Sequence, residues 1–292
     1  MTYAYYPGCS LTASARDYDL SVRTVMTALG IELEEINDWN CCGASAAPSV
    51  DPFLGVALSA RNLAMAEAKQ RDVAVACPSC YTNLRRARVT ATAATDAGKR
   101  VRESLADGGY TVSGGSEVRH LLDLVVHEVG LTAIRSRVKR PLTGLKVAPY
   151  YGCQLSRPHG SFAHPEIPYE MDELLKALGA EPVRWNGRTR CCGASAMLTK
   201  ESAALQLVDK LLTSAEESGA YLIATACSLC HMNLDAYQGR VNGDLGKSHK
   251  LPVVYFTQLL GLALGLEPSG LGLGKAFIPA PMLDPYLEGV RA

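Results

Sequence analysis

The six-residue sequence CCGASA occurs twice in the chain, at residues 41–46 and again at 191–196. Each copy belongs to a set of five cysteines in the same order: one cysteine, the adjacent pair, then a Cys-x-x-Cys segment. Both sets together use all ten cysteines of the chain: Cys9, Cys41, Cys42, Cys77 and Cys80 (the first site), then Cys153, Cys191, Cys192, Cys227 and Cys230 (the second site). The pairs and the Cys-x-x-Cys segments recur in register, and a repeat this long indicates a duplicated domain rather than a solenoid.

Composition narrows the classes of protein. The chain has 292 residues, 48% of them hydrophobic, and a formal charge of zero. Such a chain can bury a large core, and it has no overall field to attract nucleic acid. The first residues lack a signal peptide, and the apolar stretch 251–266 is interrupted by Thr257 and Gln258. We therefore expect a cytoplasmic protein without a membrane span, in which ten cysteines serve metal or redox chemistry rather than disulfides.

Short β-prone runs precede the cysteines in both halves. Residues 3–6 and 147–151 lead to the single cysteines, and residues 72–76 and 220–226 lead to the Cys-x-x-Cys segments. Helical periodicity occupies the stretches between them, at about 18–29, 53–70, 169–178 and 200–219. Alternating strands and helices predict an α/β fold in which each half is a small parallel sheet flanked by helices. Cysteines then cluster at the carboxyl ends of strands, where such sheets bind ligands.

The repeat also predicts the domain organisation. We expect a first domain at 1–131, a linker at 132–144 that contains Pro141 and Gly144, and a second domain at 145–267. Residues 268–292 form a C-terminal tail that contains glycine and proline.

Five cysteines in each half favour an iron–sulfur site. Thiolates are soft ligands that select zinc or iron–sulfur clusters. Zinc takes four ligands in tetrahedral geometry, so five are one too many, although four of the five would still bind it in one site. The closely spaced cysteine run of common ferredoxins is absent from the sequence.

The cysteine pattern resembles that of the CCG-domain proteins, and most closely the B subunit of heterodisulfide reductase. In each half a single cysteine is followed after 31 or 37 residues by Cys-Cys-Gly, and after 34 more by Cys-x-x-Cys. The resemblance covers nearly the whole chain and implies two noncubane [4Fe-4S] clusters with a disulfide cleaved between them. The first site would hold one cluster and the second site the other.

The resemblance also implies an activity and partners. We expect an iron–sulfur catalytic subunit that reduces a disulfide, or oxidises a thiol or sulfane sulfur, by two-electron chemistry. Electrons would pass through two partners, a ferredoxin-like C subunit plus a flavin-containing A subunit. The alternative is a non-catalytic electron-transfer subunit that links a dehydrogenase to a quinone or ferredoxin. Candidate proton donors are the histidines nearest the second site in sequence: His159, His164 and His231.

Overall fold

A computed structural model describes residues 1–44, 46–157, 162 and 164–287 of the chain. It contains two four-stranded sheets, one in each half, and every strand pair in both is parallel. Helices flank both sheets. The predicted α/β class, with two equivalent parallel halves, is confirmed.

In the first half, strands end where the cysteines begin. A seven-residue π-helical segment, Leu124–Gly130, separates the last two helices. The elements are β1 (Thr2–Tyr6), α1 (Gly8–Thr12), α2 (Arg16–Leu29), β2 (Glu32–Glu35), α3 (Ala46–Val50), α4 (Pro52–Ala68), β3 (Val73–Val75), α5 (Pro78–Thr92), α6 (Asp96–Asp107), β4 (Val118–His120), α7 (Leu121–Asp123) and α8 (Leu131–Arg137).

The second half repeats this order with fewer elements before its third strand. Three short 3₁₀ segments lie at Ala194–Ala196, Pro268–Leu271 and Pro281–Leu283. The elements are β5 (Lys146–Tyr150), α9 (Gly152–Ser156), α10 (Glu170–Ala177), β6 (Glu181–Pro182), α11 (Glu201–Glu217), β7 (Leu222–Thr225), α12 (Ser228–Ala236), α13 (Gln238–Leu245), β8 (Val253–Tyr255), α14 (Phe256–Ala263) and α15 (Asp284–Leu287).

The strand order brings the cysteines of each half together. The order is β2-β1-β3-β4 in the first sheet and β6-β5-β7-β8 in the second. The chain therefore moves to one side of β1 and then crosses to the other, and the same reversal occurs at β5. Ligands in parallel sheets bind beyond the strand ends at this point of reversal. The single cysteine follows one of the two central strands and the Cys-x-x-Cys segment follows the other.

Glycine ends the second helix of each half, as the sequence predicts. Gly30 and Gly179 both have the left-handed backbone conformation, with φ of 81° and 86°. A left-handed glycine closes a helix because the missing Cβ removes the steric cost of positive φ. The following strands β2 and β6 are thereby turned back alongside β1 and β5.

The two halves are joined through a shared core. One cluster of buried apolar residues continues from the first sheet to α14 of the second half. Helix α2 packs against α14, and the buried hydroxyls of Ser21 and Thr257 are 2.7 Å apart between them. Two further contacts cross the junction, between α5 and α9 and between α1 and α12. Each of these last four helices contains a cysteine of one of the sites.

Some predicted elements differ from the structure. The predicted linker 132–144 begins inside α8, because Ile134 of that helix is fully buried in the core. The predicted extended segment 182–185 is a strand only at Glu181–Pro182. In the tail, Leu271 and Leu283 are buried against their own chain, whereas Phe277 is exposed. The domain boundaries stay predictions.

Candidate metal centre

Each site collects cysteines from three places in its half. Cys9 lies in α1 directly after β1, and Cys153 lies in α9 directly after β5. Cys77 and Cys227 are the N-cap residues of α5 and α12, so each Cys-x-x-Cys segment forms the first turn of a helix. The adjacent cysteine pairs come from the loops that follow β2 and β6.

Tyrosines of the central strands hold the loops that carry the cysteine pairs. The Tyr6 hydroxyl donates to the carbonyl oxygen of Asn40 at 2.8 Å, and the Tyr150 hydroxyl donates to that of Arg190 at 2.7 Å. Both carbonyls belong to the residue directly before a cysteine pair. Because the two tyrosines are fully buried, these hydrogen bonds fix the pairs relative to the sheets.

The sulfur atoms approach one another in the same way in both sites. The Sγ atoms of Cys42 and Cys80 are 3.5 Å apart, and so are those of Cys192 and Cys230. In the first site the Sγ atoms of Cys41 and Cys9 are 3.8 Å apart. The second cysteine of each pair and both cysteines of each Cys-x-x-Cys segment are buried, whereas the others are partly or fully exposed. Each site therefore has a buried side and a side that faces solvent.

Hydrogen bonds between thiols favour the thiolate form at one or both cysteines of each pair. Hydrogen bonds from Cys41 and Cys80 lower the pKa of the Cys42 thiol to about 3. A hydrogen bond from Cys230 lowers the pKa of Cys192, and one from Cys153 lowers the pKa of Cys191 to about 6. The thiolate is the form that binds metal.

Glycines leave room beside the sulfurs. A Cβ atom on Gly8 would lie 2.9 Å from the Sγ of Cys80, and one on Gly152 would lie 3.3 Å from the Sγ of Cys230. After the cysteine pairs, the backbone N–H groups of Gly43 and Gly193 lie 3.4 Å from the Sγ atoms of Cys41 and Cys191. Such N–H donors stabilise negative charge on a metal-bound sulfur.

The residues present fit an iron–sulfur cluster by their chemistry. Each site offers five soft donors with backbone N–H groups beside them. Within the described residues, the buried hydroxyl of Ser228, next to Cys227, has no hydrogen-bond partner. No group of three or more His, Cys, Asp or Glu side chains in that same part of the chain is arranged to hold a single metal ion.

The three candidate histidines have different surroundings. His231 follows Cys230, is 7% exposed and stacks on Tyr255 with ring centres 4.2 Å apart. Burial lowers its pKa to about 4. His164 is exposed, and its Nδ1 accepts hydrogen bonds from the backbone N–H groups of Glu166 and Ile167. His159 lies outside the described residues. A role of these histidines in proton transfer stays a prediction.

Sequence reasoning missed two polar residues between the sites. The Tyr18 hydroxyl lies 3.5 Å from the carbonyl oxygen of Ala76 and 3.4 Å from that of Ala226, the residues before the two Cys-x-x-Cys segments. His120 also hydrogen-bonds to the Ala76 carbonyl, at 2.9 Å. Neither residue is part of the repeat, so the sequence carried no signal for them.

Comparison with known proteins identifies the family. The model of the CCG cysteine-rich domain matches the chain twice, at residues 3–85 and 147–235. These matches cover more than half of the chain and include every cysteine of both sites. The chain belongs to the CCG cysteine-rich domain family.

Relatives extend over nearly the whole chain. It is 37% identical to the 8-methylmenaquinol:fumarate reductase membrane anchor subunit of Wolinella succinogenes, across 96% of this chain and 98% of that protein. It is 33% identical to a protein of Archaeoglobus profundus that is named as like the B subunit of heterodisulfide reductase, across 91% of both chains. It is 30% identical to the B subunit of the ferredoxin/F420H2-dependent CoB-CoM heterodisulfide reductase of Methanosarcina acetivorans, across 92% of this chain and 91% of that one. The predicted relationship to the B subunit of heterodisulfide reductase is confirmed, and these relatives support an iron–sulfur protein of an oxidoreductase family.

A solved structure supports the fold alone. The crystal structure of a hypothetical protein from Helicobacter pylori superposes with a TM-score of 0.77 over 95% of this chain, at 13% identity. The chain spans about half the length of that protein, 52%. Although one relative is named a membrane anchor subunit, the described ranges contain no helix long and apolar enough to cross a membrane.

Proposed function

We propose that the chain is the iron–sulfur catalytic subunit of a heterodisulfide reductase-like complex, which reduces a disulfide or oxidises a thiol or sulfane sulfur. One observation carries the proposal: two complete five-cysteine sites face each other across the junction of the halves. Helix α5, which begins with the first Cys-x-x-Cys segment, packs on α9, which contains Cys153. Reciprocally, α1 with Cys9 packs on α12, which contains Cys230.

In this proposal each site holds one noncubane [4Fe-4S] cluster through its five cysteines. Such clusters, when bound, each exchange one electron with the sulfur of a substrate. The thiolate-stabilising contacts at Cys42, Cys191 and Cys192 prepare the sites for a metal ligand role. The N–H groups of Gly43 and Gly193 adjust the charge on the outer cysteines.

Two sites match the electron count of the reaction. Reduction of a disulfide consumes two electrons and two protons and yields two thiols, and the reverse reaction releases them. We place the substrate between the sites, near the contact where the Thr82 hydroxyl donates to the Gln154 carbonyl at 3.1 Å. His159, His164 and His231 are the candidates for proton transfer, and unchanged turnover in all three single variants would remove them from the mechanism.

Several relatives are named as subunits of reductases, so we propose that electrons enter or leave through partner subunits. A flavin-containing A subunit, together with a ferredoxin-like C subunit, would serve a heterodisulfide reductase-like complex. The Wolinella relative favours a second candidate function, electron transfer between a quinol and a reductase, because its name describes part of a quinol:fumarate reductase.

Anaerobic purification followed by iron and sulfide analysis tests the cofactor. Two four-iron clusters predict about eight irons per chain. Zinc alone in the purified protein would refute the assignment.

Paramagnetic resonance with and without added disulfide or thiol tests the chemistry. Direct substrate binding predicts that the cluster signals change on addition of the substrate. Signals that respond only to a reduced quinone analogue in the presence of partner subunits, and never to a sulfur compound, would support the electron-transfer candidate instead.

A further inference from the structure

The peptide groups that begin the two Cys-x-x-Cys segments meet at the junction of the halves. The carbonyl oxygens of Ala76 and Ala226 both lie within hydrogen-bond distance of a single atom, the hydroxyl oxygen of Tyr18, at 3.5 and 3.4 Å. These two carbonyls can lie no farther apart than the two distances together. Cys77 and Cys227 follow them directly, so one hydroxyl contacts the start of both sites.

A second donor reaches the same place. The Nδ1 of His120 accepts the backbone N–H of Leu122 at 3.2 Å, so its Nε2 carries the proton and donates to the Ala76 carbonyl at 2.9 Å. His120 also hydrogen-bonds to the Ala226 carbonyl. The ring is fully buried. Tyr18 and His120 are the bridging pair, and each contacts a carbonyl from each half.

The opposite half holds the Tyr18 ring in place. It stacks on Tyr255 with ring centres 3.9 Å apart and planes at 2°, and Tyr255 in turn stacks on His231. Tyr18 belongs to α2 of the first half, whereas its stacking partner ends β8 of the second. The position of Tyr18 therefore depends on the docking of the halves.

Tyr18 serves both halves without a counterpart. Counted back from the equivalent cap glycines Gly30 and Gly179, the matching position is Ile167, which precedes α10 and is 63% exposed. A hydroxyl that the duplication does not repeat, placed between two repeated peptide groups, acts at the approximate symmetry axis of the molecule.

We propose that Tyr18 and His120 are positioning residues that couple the two sites by holding the peptide groups before Cys77 and Cys227 at one point. This rests on the proposed function, because the coupling matters for a reaction that uses both sites at once. Hydrogen bonds to a peptide carbonyl also polarise the N–H of the same peptide group, which here belongs to a cysteine of each site.

Hydrogen exchange of the purified full-length chain tests the coupling without reference to activity. Tyr18→Phe removes the hydroxyl and keeps the stacked ring. We expect amide exchange in both segments, 76–80 and 226–230, to become roughly five- to tenfold faster, as the loss of one buried hydrogen bond would predict. Tyr5→Phe is the matched control, because its hydroxyl is also buried and bonds to Asp19 of the same helix at 2.7 Å. The control should leave both segments unchanged.

A response of segment 76–80 alone, or an equal response to Tyr5→Phe, would overturn the proposal. If Tyr18→Phe does not fold, His120→Phe provides the second variant, because it removes donors to the same carbonyls and keeps a ring against Tyr81. The same two-segment pattern is expected from it.

A redox titration followed by paramagnetic resonance separates coupling from a merely structural role. In Tyr18→Phe we expect the reduced-to-oxidised ratio of both clusters at a fixed potential to change roughly three- to tenfold, with a weaker magnetic interaction between them. Unchanged potentials and interaction would assign Tyr18 a structural role only. Absence of iron from the wild-type chain would refute the proposed function, whereas hydrogen exchange would still decide the coupling.

Discussion

The side-chain amide of Asn233 donates a hydrogen bond to the carbonyl oxygen of Cys192 at 2.7 Å, and this bond connects α12 to the loop of the second cysteine pair. The equivalent residue of the first half, Asn83, contacts the carbonyls of Cys42 at 3.3 Å and of Ala44 at 2.8 Å. Both asparagines are buried. Two separate cysteine segments of each site are thus held together by one amide.

Replacement of this amide should loosen one site selectively. In Asn233→Ala the buried Cys192 carbonyl loses its donor, which costs about 1–3 kcal/mol of stability. We expect the second site to lose its metal several times faster than the first when a chelator is added, measured as iron release over time. Asn242→Ala is the control, because Asn242 bonds only to backbone groups of His249 among the described residues. Equal iron release from both asparagine variants would contradict this role.

Serine replacements should reveal two independent sites. Cys80→Ser and Cys230→Ser each exchange a buried sulfur for a smaller oxygen at equivalent positions. Because oxygen is a poorer ligand for iron–sulfur clusters, we expect each variant to retain about half of the wild-type iron. The double variant should retain almost none. Full iron in either single variant would mean that the replaced cysteine is not a ligand.

Local patterns predicted the halves but not their junction. The β-prone runs, the cap glycines Gly30 and Gly179 and the cysteine spacing each depend on neighbouring residues, and the structure agrees with them. The helix start at Cys77 was missed, although Pro78 directly after it is a common first helical residue. The bridging by Tyr18 depends on how two folded halves pack, which no short sequence pattern records.

Glycine replacements should separate backbone strain from crowding at sulfur. Gly8, Gly152 and Gly30 all have positive φ, at 71°, 69° and 81°, so alanine strains each by about 1–2 kcal/mol. The new Cβ atom would also press on Cys80 in Gly8→Ala and more gently on Cys230 in Gly152→Ala, whereas it meets nothing within 4 Å in Gly30→Ala.

We therefore expect thermal stability to fall in all three variants, but metal content to fall only at the crowded sites. Gly8→Ala should lose more iron than Gly152→Ala, and Gly30→Ala should keep the wild-type amount. Iron loss in Gly30→Ala equal to that in Gly8→Ala would show that strain, and not contact with the sulfur, controls the site. Unfolding curves and iron analysis on the same preparations provide both measurements.

The stability of the chain should depend on pH through His120. Burial lowers its pKa to about 4, whereas an exposed histidine titrates near 6.5. Between these values the unfolded chain binds a proton that the folded chain does not, so the folded state is favoured more as pH rises. The stabilising contribution is complete above about pH 6.5 and is lost progressively as pH falls towards 4, up to about 3 kcal/mol.

Because carboxylates, His231 and any bound cluster also respond to acid, the test compares wild type with His120→Phe at matched iron content. The variant cannot take up the proton, so the free energy of unfolding should decline less steeply from pH 6.5 to 4.5 than in wild type, measured by denaturant titration. Above pH 7 the variant should be less stable, because it lacks the hydrogen bond to the Ala76 carbonyl. Parallel pH profiles for the two proteins would show that His120 does not titrate between the folded and unfolded states.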